Sequence, residues 1–305
     1  MNYSDENDAK ATFDDVYVQP TPHAYVKKMA THGYQIGEQA RPYCLGATQL
    51  LNELNSDAWP VQMLDVGCSY GMGSAFLKYG CSFDELVAFF ASRSPRDFSA
   101  CAEVTRMWLN VAPRACDVRC IGLDSSEPAI RFAIRAGLLH GGIAKNFEDP
   151  SVQPSRKDVD LFRSCNLLVS TGAIGYVTEL SLRKLLPHLG KDHPTKHGPY
   201  AVVTILRMFD TEPIKDSFAE AGLTMTRIPG VRLPQRNFAN EEERENVMSI
   251  LSQKGIDTMG YEEEGTLYAD LYVAAADDQL DCIVSQMQSV EVKLRANSSV
   301  AFIQR

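Results

Sequence analysis

At 305 residues the chain suits one large domain, or a domain with additions, and easily supports a buried core. Apolar and charged fractions of 45% and 23% are ordinary for a globular protein. A formal net charge of −9 argues against a broad phosphate-binding surface, because nucleic-acid binders usually present a basic face.

The eight cysteines are scattered, with no CxxC pair and no histidine at zinc-site spacing from Cys116 and Cys120. They read as free core thiols in a reducing compartment, and no metal is expected. The opening residues, MNYSDENDAK, lack a signal peptide's basic start and apolar run. No apolar stretch approaches the roughly 20 residues of a membrane span. The expectation is a cytoplasmic protein with no membrane partner.

Residues 1 to about 20 are polar and acidic and read as a flexible segment. From Pro22 to Asn55 apolar residues recur three or four apart, which predicts two helices separated at Gly33. A short apolar strand, Met63-Leu64-Asp65-Val66, then turns through Gly67, Gly71 and Gly73 into a small-residue helix start. A strand turning sharply through glycines into a helix is the opening of a nucleotide-binding α/β unit.

A compact unit of this kind carries an acid about 20 residues past the glycines, at the end of its second strand. Here the candidate is Asp124, closing VRCIGLD, 51 residues past Gly73. Between them Ser82 and Glu85 form a capping-box pattern, and a second helix is predicted over Phe98–Val111. This insertion, 82–116, is either part of a lid or substrate wall, or extra scaffold. Beyond Asp124, Ser126 and Pro128 open a helix. GGIAKNFED holds strand three, and 150–160 reads as a polar surface connection. Strand four ends near Ser170-Thr171-Gly172, and TELSLRKLLPHL is an amphipathic helix. YAVVTILRMF is strand five, PIKDSFAEAG a helix, and two terminal strands flank a helix over Glu241–Gly255. The last residues read as a helix from Asp278 followed by a polar, strand-like tail. The alternation predicts a doubly wound, mostly parallel α/β sheet. Domain organisation follows as 1–20, N-terminal helices 21–58, a cofactor domain 59–276, and an extension 277–305.

Two ligand classes use a glycine loop plus an acid on strand two: NAD-type dinucleotides and S-adenosylmethionine (SAM). The NAD fingerprint needs a third small residue, and from Gly71-Met72-Gly73 that position is Phe76. The loop Asp65-Val66-Gly67-Cys68-Ser69-Tyr70-Gly71-Met72-Gly73 resembles the first motif of class I SAM-dependent methyltransferases, D-x-G-x-G-x-G, with Ser69 in place of the middle glycine. GLDSSEPAIRFA and LLVSTGAIGYV resemble the motifs at the family's second and fourth strands, so the likeness spans roughly residues 60–275. It implies a Rossmann-like methyltransferase fold, seven strands in the order 3-2-1-4-5-7-6.

The resemblance also implies roles. Gly67, Ser69, Gly71 and Gly73 would line the methionine and ribose of SAM, with Asp65 acting through water or the methionine ammonium. Asp124 would hold the ribose hydroxyls and Ser125 would pack beside adenine, whose edge and face fall to Asn146 and Phe147. Ser170 and Thr171 would stand where sulfonium and acceptor meet. Transfer is an in-line displacement dominated by alignment, and a base is needed only for a protonated acceptor. Base candidates are His23, His32 and His140, with Tyr34 and Tyr176 as polar positioners; Tyr176 lies just past strand four. Arg207, Arg232 and Arg236 could clamp a carboxylate-bearing acceptor. The N/D-P-P-Y/F motif of base-amine methylation and the Pro-Cys pair of cytosine C5 chemistry are both absent. A small molecule methylated on O or N is therefore the expected acceptor, with no nucleic-acid partner and a homodimer as a possible assembly. The alternatives are a protein or nucleic-acid acceptor, a SAM-binding partner protein that does not transfer, and an NAD-dependent oxidoreductase.

Overall fold

The computed structural model describes residues 14–55, 60–93, 97–112 and 114–303. The expectation for residues 1–13 lies outside these. In chain order the elements are α1 (Asp14–Tyr17), α2 (His23–Thr31), α3 (Ile36–Leu54), β1 (Gln62–Val66), α4 (Met72–Tyr79), α5 (Phe83–Ala91) and α6 (Phe98–Val111). Next come β2 (Arg119–Asp124), α7 (Glu127–Arg135), β3 (Gly141–Ala144), α8 (Arg156–Ser164), β4 (Leu167–Ser170) and α9 (Glu179–Leu185). The chain ends with β5 (Tyr200–Leu206), α10 (Glu212–Glu220), β6 (Thr224–Asn237), α11 (Glu241–Gln253), β7 (Thr266–Ala275) and α12 (Asp277–Ile303).

One seven-stranded sheet runs β3-β2-β1-β4-β5-β7-β6. Strand β7 is antiparallel to both β5 and β6, and the other pairings are parallel. Helices cover both faces, so the inner strands are apolar throughout: all seven residues of β5 are buried. Reversal of strand order beside β1 brings the carboxyl ends of β1, β2 and β4 to one edge, where open α/β sheets bind ligands.

Three expectations need correction. Residues 150–160 are not only a surface connection. Ser155 accepts from the Asp158 N–H and Asp158 from that of Ser155, a capping box that opens α8, and Phe162 anchors it in the core. The tail past Asp278 is not strand-like. It continues α12 to Ile303, with Ile283 and Met287 buried, the Tyr43 hydroxyl donating to Glu291, and Gln286 Nε2 donating to the Gly46 carbonyl at 3.1 Å. Residues 14–20 are not loose: Val16 is buried, and the Tyr70 hydroxyl donates to the Gln19 carbonyl at 2.7 Å.

The insertion between β1 and β2 is two helices. Phe89 of α5 stacks on Trp108 of α6 at 4.4 Å, and Phe83 lies edge-on to Tyr34 at 5.8 Å. Among the described residues none of 82–116 lines the central cavity. The insertion packs against α2 and the α2–α3 turn, which favours scaffold over a substrate wall. No described helix is long and apolar enough to cross a membrane.

Candidate cofactor and acceptor site

The site is built on the β1–α4 turn. Gly67 takes φ +75°, and a Cβ there would lie 2.2 Å from the Ala173 Cβ, so only glycine lets the loop after β4 press against it. Ser69 is the one described non-glycine residue with positive φ, +49°, at the position where the motif carries its middle glycine. Its backbone N–H donates to Asp124 Oδ2 at 2.8 Å, and the Ser126 N–H donates to Oδ1 at 2.9 Å. One carboxylate thus ties the glycine loop to the end of β2 and keeps further lone pairs open to the cavity. Burial raises the Asp124 pKa, against the pull of those N–H groups.

The central cavity, of 310 Å³, opens at this edge. Gly67, Ser69, Asp124 and Ser125 form its floor, and Asn146 and Phe147 after β3 form one wall. Thr171, Gly172 and Tyr176 after β4 form the opposite wall, with Tyr34. Sequence reasoning missed the roof, where Tyr17 and Val18 cover the cavity and Tyr25 closes its side. The strap carrying them is fastened by Tyr70 and by the Ser126 hydroxyl, which donates to the Tyr17 carbonyl. Rings of Tyr17, Tyr25 and Tyr70 form a chain, with centroids 5.4 and 5.6 Å apart. The apolar trio Val16-Tyr17-Val18 was the available signal, masked by acidic neighbours. Lys145 and Glu148 were missed as well. Lys145 pairs with Asp158 at 2.6 Å, and Glu148 accepts from the Thr178 N–H at 2.9 Å and from the Thr178 and Ser181 hydroxyls.

Several expected site residues stand elsewhere. Gly71 packs toward Ala133 of α7 and Leu138 just after it, and Gly73 toward the Asp65 carboxylate; neither lines the cavity. Ser170 is buried and donates to the Val66 carbonyl at 3.0 Å, which joins β4 to β1. His23 is no base for this cavity, since its ring is edge-on to Phe90 at 5.2 Å and its Nδ1 lies 3.1 Å from the Thr21 hydroxyl. His140 accepts from the Cys120 N–H at 3.1 Å, toward the opposite edge of the sheet. The arginines do not form a clamp. Arg207 pairs with Glu262 at 2.6 Å, Arg236 with Glu243 at 2.5 Å and Arg232 with Asp270 at 3.7 Å; the first two pairs are buried.

Asp65 lies beneath the loop and not on the cavity. It is buried, its Oδ2 has no hydrogen-bond partner, and burial followed by repulsion from Asp124 raises its pKa to about 7. An unfolded chain releases this proton near 3.8, so between about pH 4 and pH 7 the folded state binds more protons. Asp65's contribution to stability is therefore greatest below pH 4 and falls as pH rises toward 7. Denaturant unfolding at several pH values should show this fall in the native chain relative to Asp65→Asn. Parallel pH profiles for the two proteins would refute the assignment.

Strand order, the antiparallel seventh strand and the glycine turn define the class I SAM-dependent methyltransferase fold. Neither a protein-family model nor a curated protein matches the chain. Among solved structures, it is similar to a TehB-like SAM-dependent methyltransferase from Corynebacterium glutamicum, at 13% identity over 74% of this chain and 86% of that one, TM-score 0.35. It is also similar to the N-methyltransferase NodS from Bradyrhizobium japonicum, at 13% identity over 75% and 94%, TM-score 0.34. An O-methyltransferase from a Brevibacillus brevis polyketide synthase multienzyme matches at 9% identity over 81% and 78%, TM-score 0.34. At such scores the fold assignment rests on the strand order and not on these likenesses.

Proposed function

We propose that the chain is a SAM-dependent methyltransferase acting on an O or N atom of a small molecule. The observation that carries this reading is Asp124. It ends β2, accepts from the glycine loop through Ser69, and lines the cavity at the carboxyl edge of the sheet. The residues present fit an adenosyl group. A carboxylate stands where ribose hydroxyls would donate, Phe147 offers an aromatic wall for adenine, Asn146 lies beside it, and the floor at Gly67 is bare of side chain. Bound SAM supplies an activated methyl on a cationic sulfur; the chain's part is to align the acceptor and exclude water. A 310 Å³ cavity roofed by Tyr17 and Val18 suits a small acceptor better than a polymer strand.

Calorimetry with SAM and its demethylated product, S-adenosylhomocysteine, tests the binding half, and labelled SAM incubated with cell metabolites tests transfer. Binding of neither compound would sink the reading. Asp124→Ala is expected to weaken SAM binding by about 1.5–3 kcal/mol, the range for a hydrogen bond to a charged group. Unchanged affinity would show the ribose assignment to be wrong.

A further inference from the structure

The acceptor half of the cavity is built from tyrosines. A Cβ on Gly172, just past β4, would lie 3.6 Å from the Tyr34 hydroxyl, which places that phenol at the strand end. Tyr17, Tyr25 and Tyr176 line the same region, with the Tyr17 and Tyr25 ring centroids 5.4 Å apart. The charged residues of the lining are otherwise engaged. Asp124 holds two backbone N–H groups, Glu148 holds Thr178 and Ser181, and Lys145 pairs with Asp158. Among the described residues no histidine or guanidinium lines the cavity. Burial also pushes the Tyr17, Tyr25 and Tyr34 hydroxyls above the usual phenol range, so they stay protonated.

Two classes of acceptor fit this lining poorly. An alcohol must lose a proton as its oxygen attacks, and nothing in the tyrosine half takes one. A carboxylate or phosphate needs a cation to seat it, and the arginines are committed to Glu262 and Glu243. A neutral amine needs neither. Its lone pair forms the new N–C bond while the C–S bond breaks, and that electron pair stays on sulfur as a neutral thioether. The positive charge moves from sulfur to nitrogen, so the product leaves as an ammonium ion and no proton has to be removed for transfer. Aromatic rings and phenol oxygens stabilise such an ammonium ion.

We propose that the acceptor is a small amine, held as its free base by Tyr17, Tyr25, Tyr34 and Tyr176 and released as a methylated ammonium ion. This rests on the methyltransferase reading above. At 310 Å³ the cavity sits near the low end for a ligand site, which favours a small acceptor.

The test uses the full chain saturated with S-adenosylhomocysteine. Choline serves as a trimethylammonium probe, and 3,3-dimethylbutanol as its neutral isostere. Choline should bind about 10-fold more tightly, a preference of the size cation–π contacts provide. Tyr34→Phe should keep the preference and Tyr34→Leu should reduce it, which separates the ring from the hydroxyl. Equal binding of the two probes overturns the proposal. In parallel, label transferred from SAM into a metabolite extract should be retained on a cation exchanger. Label found only in neutral or anionic products defeats the amine assignment while leaving methyl transfer intact. Absence of S-adenosylhomocysteine binding, or of any labelled product, removes the methyltransferase reading itself and the amine assignment with it.

Discussion

Replacing Arg236 by methionine is expected to destabilise the fold by about 3–5 kcal/mol while leaving the SAM affinity of the folded protein unchanged. The guanidinium donates through Nη1 to Glu243 Oε2 at 2.8 Å and through Nη2 to Oε1 at 2.5 Å, and both side chains are almost wholly buried. Nη1 also donates to the Asn237 carbonyl at 2.9 Å, and Oε2 accepts the Ala239 N–H at 2.7 Å. The pair therefore locks the end of β6 to the start of α11. Removing the cation alone strands a carboxylate in the interior, and that uncompensated charge is the main cost. Arg236→Met combined with Glu243→Met should recover much of the loss, because two apolar side chains replace a desolvated pair. Urea unfolding measures the first quantity and calorimetry the second. A rise in acceptor KM at native stability would restore Arg236 to substrate binding and contradict the buried-pair account.

Arg236 also shows where sequence reasoning stops. Its partner Glu243 is seven residues away across a turn, and the partner of Arg207 is 55 residues away. Nothing in local spacing told a ligand-facing arginine from one spent on a buried glutamate. Asp124 was legible despite the long insertion, because an acid closing a β-branched and apolar strand is a local pattern. The doubly wound alternation was legible for the same reason, since strands buried on both faces read as continuous apolar runs. Helix α8 was hidden by its polar composition, with Val159, Leu161, Phe162 and the Ser155–Asp158 box as its signals. The strap over the cavity was hidden more deeply. Its anchors are the Tyr70 and Ser126 hydroxyls, reaching backbone carbonyls more than 50 residues earlier in the chain. Ser69 stands where the motif carries its middle glycine. The structure adds that it holds a left-handed backbone conformation and that its N–H meets Asp124.

Gly67→Ala is expected to abolish SAM binding and to lower stability by about 2–5 kcal/mol. Two costs combine. A non-glycine residue in the left-handed region costs about 1–2 kcal/mol, and forcing an extra methyl into a packed site costs about 1–3 kcal/mol more. Gly67 has φ +75°, and the added Cβ would stand 2.2 Å from the Ala173 Cβ, a separation no pair of non-bonded carbons sustains. Relief requires the loop after β4 to retreat, carrying Thr171, Gly172 and Tyr176 away from the floor formed by Ser69 and Asp124. Gly222→Ala is the control. Its φ is +80°, but an added Cβ meets nothing within 4 Å, so it bears the backbone cost alone and should bind SAM normally. Ala173→Gly placed on Gly67→Ala removes the colliding Cβ and should restore part of the affinity. Normal SAM affinity in Gly67→Ala would mean that the two walls move independently and that their contact does not shape the cofactor site.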